Sequence, residues 1–332
     1  MATASISDYS ASINTPQMIT ANMLIGGSSV MKNGRQVMYS GGFCVVFPFI
    51  TATKKYAVRC WHTNINEIRS RTKLISDAIS ASHLPYFVGF EYVPNGIQTV
   101  QGAQDIVVMD WVDAKTMKKY IADNIHNPAI IKALANSFKA MVKDLHSHHM
   151  AHGDLQHGNI LVKDDGGIIL VDYDSMYVPA LSGYSDDIKG LPGYQHPSRA
   201  KNLYVNEKID YFSEIIIYTS LLAISIFPNL WHELNLDDTE TLIFSTEDFS
   251  SKGNSKIFRI LENNQELKPL SLKIKEFLAK ANIDELESLE NAIIDPQKKI
   301  VDSLSEKWGD NGYKRQTQQD IDNIAKDISE KW

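Results

Sequence analysis

The chain changes texture once, near Trp111, and that change limits what it can fold into. From Gly34 to about Trp111 it reads as strands: GRQVMYSGGFCVVFPFI, KKYAVRCW, YFVGFEYV and QDIVVMDWV, each rich in β-branched and aromatic residues and bounded by Gly, Pro, Asn or paired Lys. One helix interrupts them over residues 64–81, where Ile65, Ile68, Leu74, Ile75 and Ile79 fall on a stripe. After Asp113 the text is mostly helical, in NPAIIKALANSFKAMVKDLHSH, LSLKIKEFLAKA and DELESLENAI. Two short strands, NILVK and GIILVD, joined by the turn DDGG, lie between the first two helical regions. Strands segregated from helices predict an α+β chain of two lobes: a small five-stranded antiparallel lobe with one helix, then a larger, mainly helical lobe.

The bulk properties agree. A length of 332 residues suits one large or two ordinary domains, and 43% hydrophobic with 22% charged residues is the usage of a folded globular protein. A net charge of −7 and the lack of any Lys/Arg-rich stretch exclude nucleic acid as a partner. The two cysteines, Cys44 and Cys60, form no CxxC pair, and no signal peptide is recognisable, which points to a reducing, cytoplasmic compartment. The longest apolar run, IIIYTSLLAISIF from Ile215 to Phe227, is too short to span a bilayer and stops at Pro228, so it reads as a buried core helix and no membrane association is expected. The polar N-terminus, MATASISDYSASINTPQ, is expected to be a loosely held arm. These readings divide the chain into an arm over 1–28, a small lobe over 29–110, a large lobe over 111–294 and an amphipathic helical tail over 295–332 that packs on the large lobe or docks a partner.

The segment HSHHMAHGDLQHGNILV, residues 146–162, holds five of the ten histidines. Zinc would need a set of well-spaced ligands, and no cysteine or fourth ligand accompanies His146, His148 and His149, which fall at a helix end where such side chains suit the last carbonyls. The stretch HGDLQHGN instead fits the H-R-D-L-x-x-x-N catalytic-loop pattern with Gly153 in the arginine's place, and LVDYD follows where D-F-G would stand. With these motifs in order, the chain resembles a eukaryotic-like Ser/Thr protein kinase of the kind found in bacteria, over roughly Tyr39 to Phe227. The resemblance implies that Asp154 is the catalytic base, that Asn159 and Asp172 are metal ligands completing the catalytic set, and that ATP and Mg2+ are used. His152 would hold the catalytic loop by hydrogen bonds, and Asp210, at the start of the helix in KIDYFSEIIIYTSLL, would anchor its backbone.

Upstream, YSGGFCVVF resembles a Gly-rich loop over the nucleotide, with Gly41, Gly42 and Phe43 at its tip and Val46 behind. KKYAVRCW resembles the V-A-I-K strand, with Ala57 in the cleft and Arg59 where the phosphate-binding lysine stands. Arginine is bulkier and planar, so the swap is not conservative, and Asp77, on the following helix, is the candidate acid partner. VVMDWVDAKTM resembles the strand and hinge that hold adenine, with Met109 as gatekeeper and Asp110, Trp111 and Val112 as hinge. GLPGYQHPSR resembles the end of an activation segment, with His196, Pro197 and Ser198 in place of A-P-E. Three functions follow from the resemblance: a Mg-ATP-dependent kinase acting on Ser/Thr of a protein, a pseudokinase that binds nucleotide or a partner, and a small-molecule phosphotransferase of aminoglycoside-kinase type. Tyr194 and Pro197 favour a protein substrate over a small one, while Gly153 and Asp174 point the other way. Related kinases suggest a PP2C-type phosphatase and a von Willebrand A-like protein as partners. Because Gly153 removes the guanidinium that reads a phosphate, phosphorylation of Ser182 or Ser185 is not expected to be the main switch.

Overall fold

The structure is a computed structural model that describes residues 3–63 and 67–293. Its first half carries α1 Ile6–Ile13, α2 Ile68–Ser82 and strands β1 Ser28–Ser29, β2 Met31–Lys32, β3 Arg35–Gln36, β4 Tyr39–Ser40, β5 Cys44–Ile50, β6 Lys55–Trp61, β7 Phe90–Thr99 and β8 Gly102–Asp110. The second half carries β9 Lys115–Thr116, α3 Met117–Asp123, α4 Pro128–Ser147, β10 Ile160–Val162, β11 Ile168–Leu170, α5 Tyr211–Ile226, α6 Leu230–Glu233, α7 Thr246–Ser250, α8 Lys256–Glu262, α9 Lys268–Leu278 and α10 Leu289–Ala292. This is the α+β, two-lobed architecture that the change of texture predicts. The sheet has six strands rather than five, in the order β1-β5-β6-β8-β7, because the two-residue strands β1 and β4 both pair with β5. Every pairing in it is antiparallel.

Alternation along these strands sorts residues onto two faces. Val45, Phe47 and Phe49 of β5, Val58 and Cys60 of β6, and Ile106 and Val108 of β8 share one apolar cluster with α1. The opposite parity turns Val46, Ala57, Arg59 and Met109 to the other face, and register sets Val46 beside Arg59 and Ala57 beside Met109. Thus the period of two that buries the outer face also assembles one wall of a cleft.

The N-terminal segment corrects an expectation. It is not a loose arm: a capping box between Ser5 and Asp8 starts α1, and Tyr9 and Ile13 are buried on the sheet. Tyr9 Oη donates to the Trp61 carbonyl at 3.0 Å. A polar composition hid one apolar face four residues long in period, and the outer sheet face needs that cover. The helix expected over 64–81 begins at Ile68, and Ile65 lies outside the described residues, as does the tail over 295–332.

In the helical half, Phe212 to Ser225 of α5 are buried on every side, which explains the apolar run without a membrane. Among the described residues no helix is long and apolar enough to cross one. β10 pairs with β11 and β9, and the register Ile160 opposite Leu170 brings the two ends of that hairpin side by side. Asn159 precedes one strand and Asp172 follows the other, joined by a Val171 N–H to Asn159 carbonyl bond of 3.0 Å.

Candidate active site

The loop that begins at His152 is held by one buried carboxylate. Asp210, 1% exposed, accepts the backbone N–H groups of His152 and Gly153, the latter at 2.9 Å. Burial pushes the Asp210 carboxyl up from its ordinary value, and His152, Arg199 and the two N–H donors oppose that rise. His152 bonds through Nε2 with the Val171 carbonyl at 2.9 Å and so ties the loop to the strand that ends at Asp172. Both residues sit as the loop pattern implies.

Gly153 has a steric cause. Its φ is +80°, and a Cβ there would lie 2.1 Å from the Ser175 carbonyl oxygen. The segment after Asp172 therefore passes directly over the loop, where no side chain could be tolerated. Asp172 itself adopts a left-handed conformation, φ +67°. A non-glycine residue held there is strained, and such strain gathers at functional sites. The intervening Tyr173 is 1% exposed, meets the rings of Phe87, Phe90 and His152 edge-on, and accepts the Val88 N–H at 3.1 Å. It plugs the space between the sheet and the loop.

Asp154 uses both carboxylate oxygens. Oδ2 accepts from Asn159 Nδ2 at 2.9 Å and Oδ1 from the Leu191 N–H at 2.8 Å. Asn159 thus turns its amide nitrogen to Asp154, which leaves its oxygen as the atom suited to a cation. Asp172 is 54% exposed at the side chain, and its carboxylate and the Asn159 amide oxygen are ligands of the kind a hard divalent ion prefers.

Arg59 sits across from this group, only 5% exposed, and here the structure overturns an expectation. Its partner is not Asp77 on α2. Asp77 bonds to Lys73 at 2.6 Å on the exposed face of that helix. Arg59 instead contacts Asp174 in a short ion pair and reaches Asp172 at 3.5 Å. On the buried side of α2, Arg71 donates to the carbonyls of Asp174, Ser185 and Met176 at 3.1, 3.0 and 3.1 Å. The acid beside Arg59 comes from the segment after β11. Burial drives the Asp174 carboxyl up, Arg59 draws it back toward ionisation, and the like charge of Asp172 adds to the rise. The sequence signal was the second aspartate of LVDYD, two residues after the first.

One cavity of about 800 Å³ gathers the rest. Asp154, Asp172 and Asp174 line it from the helical half, and Arg59 with Gly41, Gly42 and Phe43 from the sheet. Its inner, largely apolar end is made by Val46, Ala57, Met109 and Val112, beside Asp110 and Trp111. Asp110 and Trp111 spend their backbone N–H groups on the carbonyls of Gly89 and Lys55. Every residue expected in the nucleotide site lines this cavity, and Asn159 stands behind Asp154. The histidines beyond His152 are occupied elsewhere. His146 lies between Glu214 and Glu290, His149 pairs with Glu207, and His157 bonds to the Tyr194 hydroxyl at 2.6 Å.

A sheet lobe and a helical lobe with paired carboxyl and amide groups on one side of a shared cavity, and a buried cation on the other, define a kinase-type cleft. Residues 35–319 match the protein kinase domain, and the chain belongs to that family. It is also 31% identical over 128 residues to a probable serine/threonine-protein kinase PknB of Lactococcus lactis subsp. lactis (strain IL1403). That match takes in 36% of this chain and 20% of the relative.

Proposed function

We propose that the protein transfers the γ-phosphoryl group of ATP to a Ser or Thr hydroxyl of a protein, with Mg2+ as cofactor. The observation that carries this is one cavity lined both by Asp154 and Asp172 and by the apolar slot of Val46, Ala57, Met109 and Val112. The slot suits a planar base, and the carboxyl end suits a metal and its phosphates. Asn159 and Asp172 would hold the metal, which supplies charge neutralisation on the transferred group when bound. Asp154 is the proton acceptor for the attacking hydroxyl, and Asn159 Nδ2 and the Leu191 N–H fix the orientation of its carboxylate. Arg59 supplies positive charge at the phosphate end, and Asp174 holds its guanidinium in place. Gly41 and Gly42 line the same cavity and present backbone to the nucleotide.

A second reading, a nucleotide-binding module without turnover, draws on one contact. Arg59 reaches Asp172, the same carboxylate a metal needs. Incubation of the full chain with Mg-ATP and a generic protein acceptor, read by intact mass, separates the two. Added phosphates on either protein support transfer. Nucleotide-dependent thermal stabilisation with no mass change would favour the binding module.

A further inference from the structure

A further buried arginine takes no part in the chemistry above. Arg199 is 1% exposed and Asp186 3%. Arg199 Nε and Nη2 donate to Asp186 Oδ2 and Oδ1 at 2.8 and 3.0 Å, a bidentate pair. Its Nη1 donates to the Gly153 carbonyl at 3.1 Å, to Gln195 Oε1 at 2.8 Å and to the Ile209 carbonyl at 3.0 Å. One guanidinium therefore joins the segment that follows Asp172, the catalytic loop and the turn before α5. Asn202 Nδ2 at 3.1 Å and Lys189 Nζ at 3.3 Å complete the surroundings of Asp186.

What Asp186 holds is five residues further on. There the Leu191 N–H meets Asp154 Oδ1 at 2.8 Å. Gly190, at φ +72°, comes so near that a Cβ would lie 2.8 Å from that oxygen. At the far end of the same segment, Arg71 grips the three carbonyls already described.

We propose that Asp186 and Arg199 are positioning residues for Asp154: a built-in carboxylate and its arginine seat residues 186–191 against the base, so that no added phosphate is required to bring them there. A buried ion pair is a poor source of net stability, since desolvation consumes most of the attraction. It is a good source of fixed geometry when all donors are used, and all three nitrogens of Arg199 are. The loop could not supply the cation itself, because Ser175 leaves no room for a side chain at Gly153. Burial raises the Asp186 carboxyl, but Arg199, Asn202 and Lys189 outweigh it and bring it below its ordinary value, so the anion is present at neutral pH.

The proposal rests on Asp154 being the base, and two readouts keep the ideas apart. The full chain, treated with a protein phosphatase and shown by intact mass to carry no phosphate, is compared with untreated protein, with Asp186→Asn and with Arg199→Lys. Treated wild type transfers phosphate at the untreated rate. Each variant loses roughly tenfold to a hundredfold in kcat, as expected when a reacting group is misplaced at a distance, while KM for ATP stays within about twofold. Amide hydrogen exchange over residues 186–191 speeds up in both variants, whether or not the protein turns over. If wild type shows no transfer but exchange still speeds up, the seat stands and the kinase reading fails. Unchanged exchange in two cooperatively folded variants, or a wild type that loses its activity with its phosphates, overturns the proposal.

Discussion

The two sides of the cleft are built by opposite means. On the helical side, Asp154, Asn159 and Asp172 lie within nineteen positions of one another, and a short hairpin and a single carboxylate, Asp210, set their geometry. On the sheet side, Arg59 is placed by strand parity, yet the group that holds it, Asp174, is on the helical side, 115 residues away. The first arrangement is local and self-contained. The second exists only when both halves are in place, so the position of the cation reports on the closure of the cleft. An acid on α2 would have tied Arg59 to its own lobe instead.

The largest effect should come from the local side. Asp154→Ala removes the carboxylate bonded both to Asn159 and to the Leu191 N–H, and phosphoryl transfer should fall by roughly 10²–10⁴-fold, the usual worth of a positioned base. Nucleotide-dependent thermal stabilisation should survive, because the nucleotide pocket is otherwise intact. Transfer at the wild-type rate in this variant would show that the base is another group.

Next in size is the anchor across the cleft. Asp174→Asn keeps the shape but removes the charge opposite Arg59, and turnover should drop by roughly tenfold to a hundredfold as the cation loses its position. Arg59→Lys should do nearly as much harm, since one ammonium cannot span Asp174 and Asp172 as the planar guanidinium does. Steady-state kinetics on the three proteins decide the point. A lysine variant faster than wild type would mean that Arg59 obstructs the site rather than serving it.

What could be read from the chain follows the same division. The HGDLQHGN loop stood out because its resemblance rests on residue types at short spacing, and the strands of the small lobe stood out because β-branched and aromatic enrichment between breakers is a local pattern. The partner of Arg59 did not, because ion pairs between distant segments leave no period in a sequence. The expectation of Asp77 rested on spacing along α2, and it failed because Asp77 lies on the exposed face of that helix, bonded to Lys73. The Asp186–Arg199 pair was silent for the same reason. The covering helix α1 escaped notice because two apolar residues among many serines carry little weight in composition, although Tyr9 and Ile13 lie one turn apart.

A smaller effect, confined to stability, is expected away from the cleft. His146 at the end of α4 bonds at 2.9 Å to both Glu214 on α5 and Glu290 on α10. Burial lowers its affinity for a proton, but the two carboxylates outweigh this and raise it to about 10. Burial also pushes Glu214 up to about 7 against the pull of His146. The imidazole has a carboxylate on each side, so the proton sits on His146. Both groups are raised in the folded state, so both stabilise below their unfolded values and lose that contribution as pH rises through the folded ones. His146→Gln should cost about 1–3 kcal/mol at pH 7 by leaving Glu214 underserved. The gap to wild type should narrow between pH 7 and 10, with turnover per folded molecule unchanged. Thermal melts of both proteins across that range check it, and a gap that widens with pH would contradict the charged histidine.

The smallest effect should be at Asp77, and its smallness is informative. Asp77 and Lys73 form an i,i+4 pair with side chains 60% and 59% exposed, so water and salt screen it. Asp77→Ala should leave turnover at the wild-type level and shift stability by no more than about 0.5 kcal/mol. The comparison with Asp174→Asn is then a direct vote on where the cation is anchored. If the cleft is closed by an acid from the helical side, only the Asp174 variant loses activity. If α2 swings inward during turnover and offers Asp77 to Arg59, the Asp77 variant should lose as much. Equal losses would place the working anchor on the helix and make the Arg59–Asp174 pair a resting arrangement.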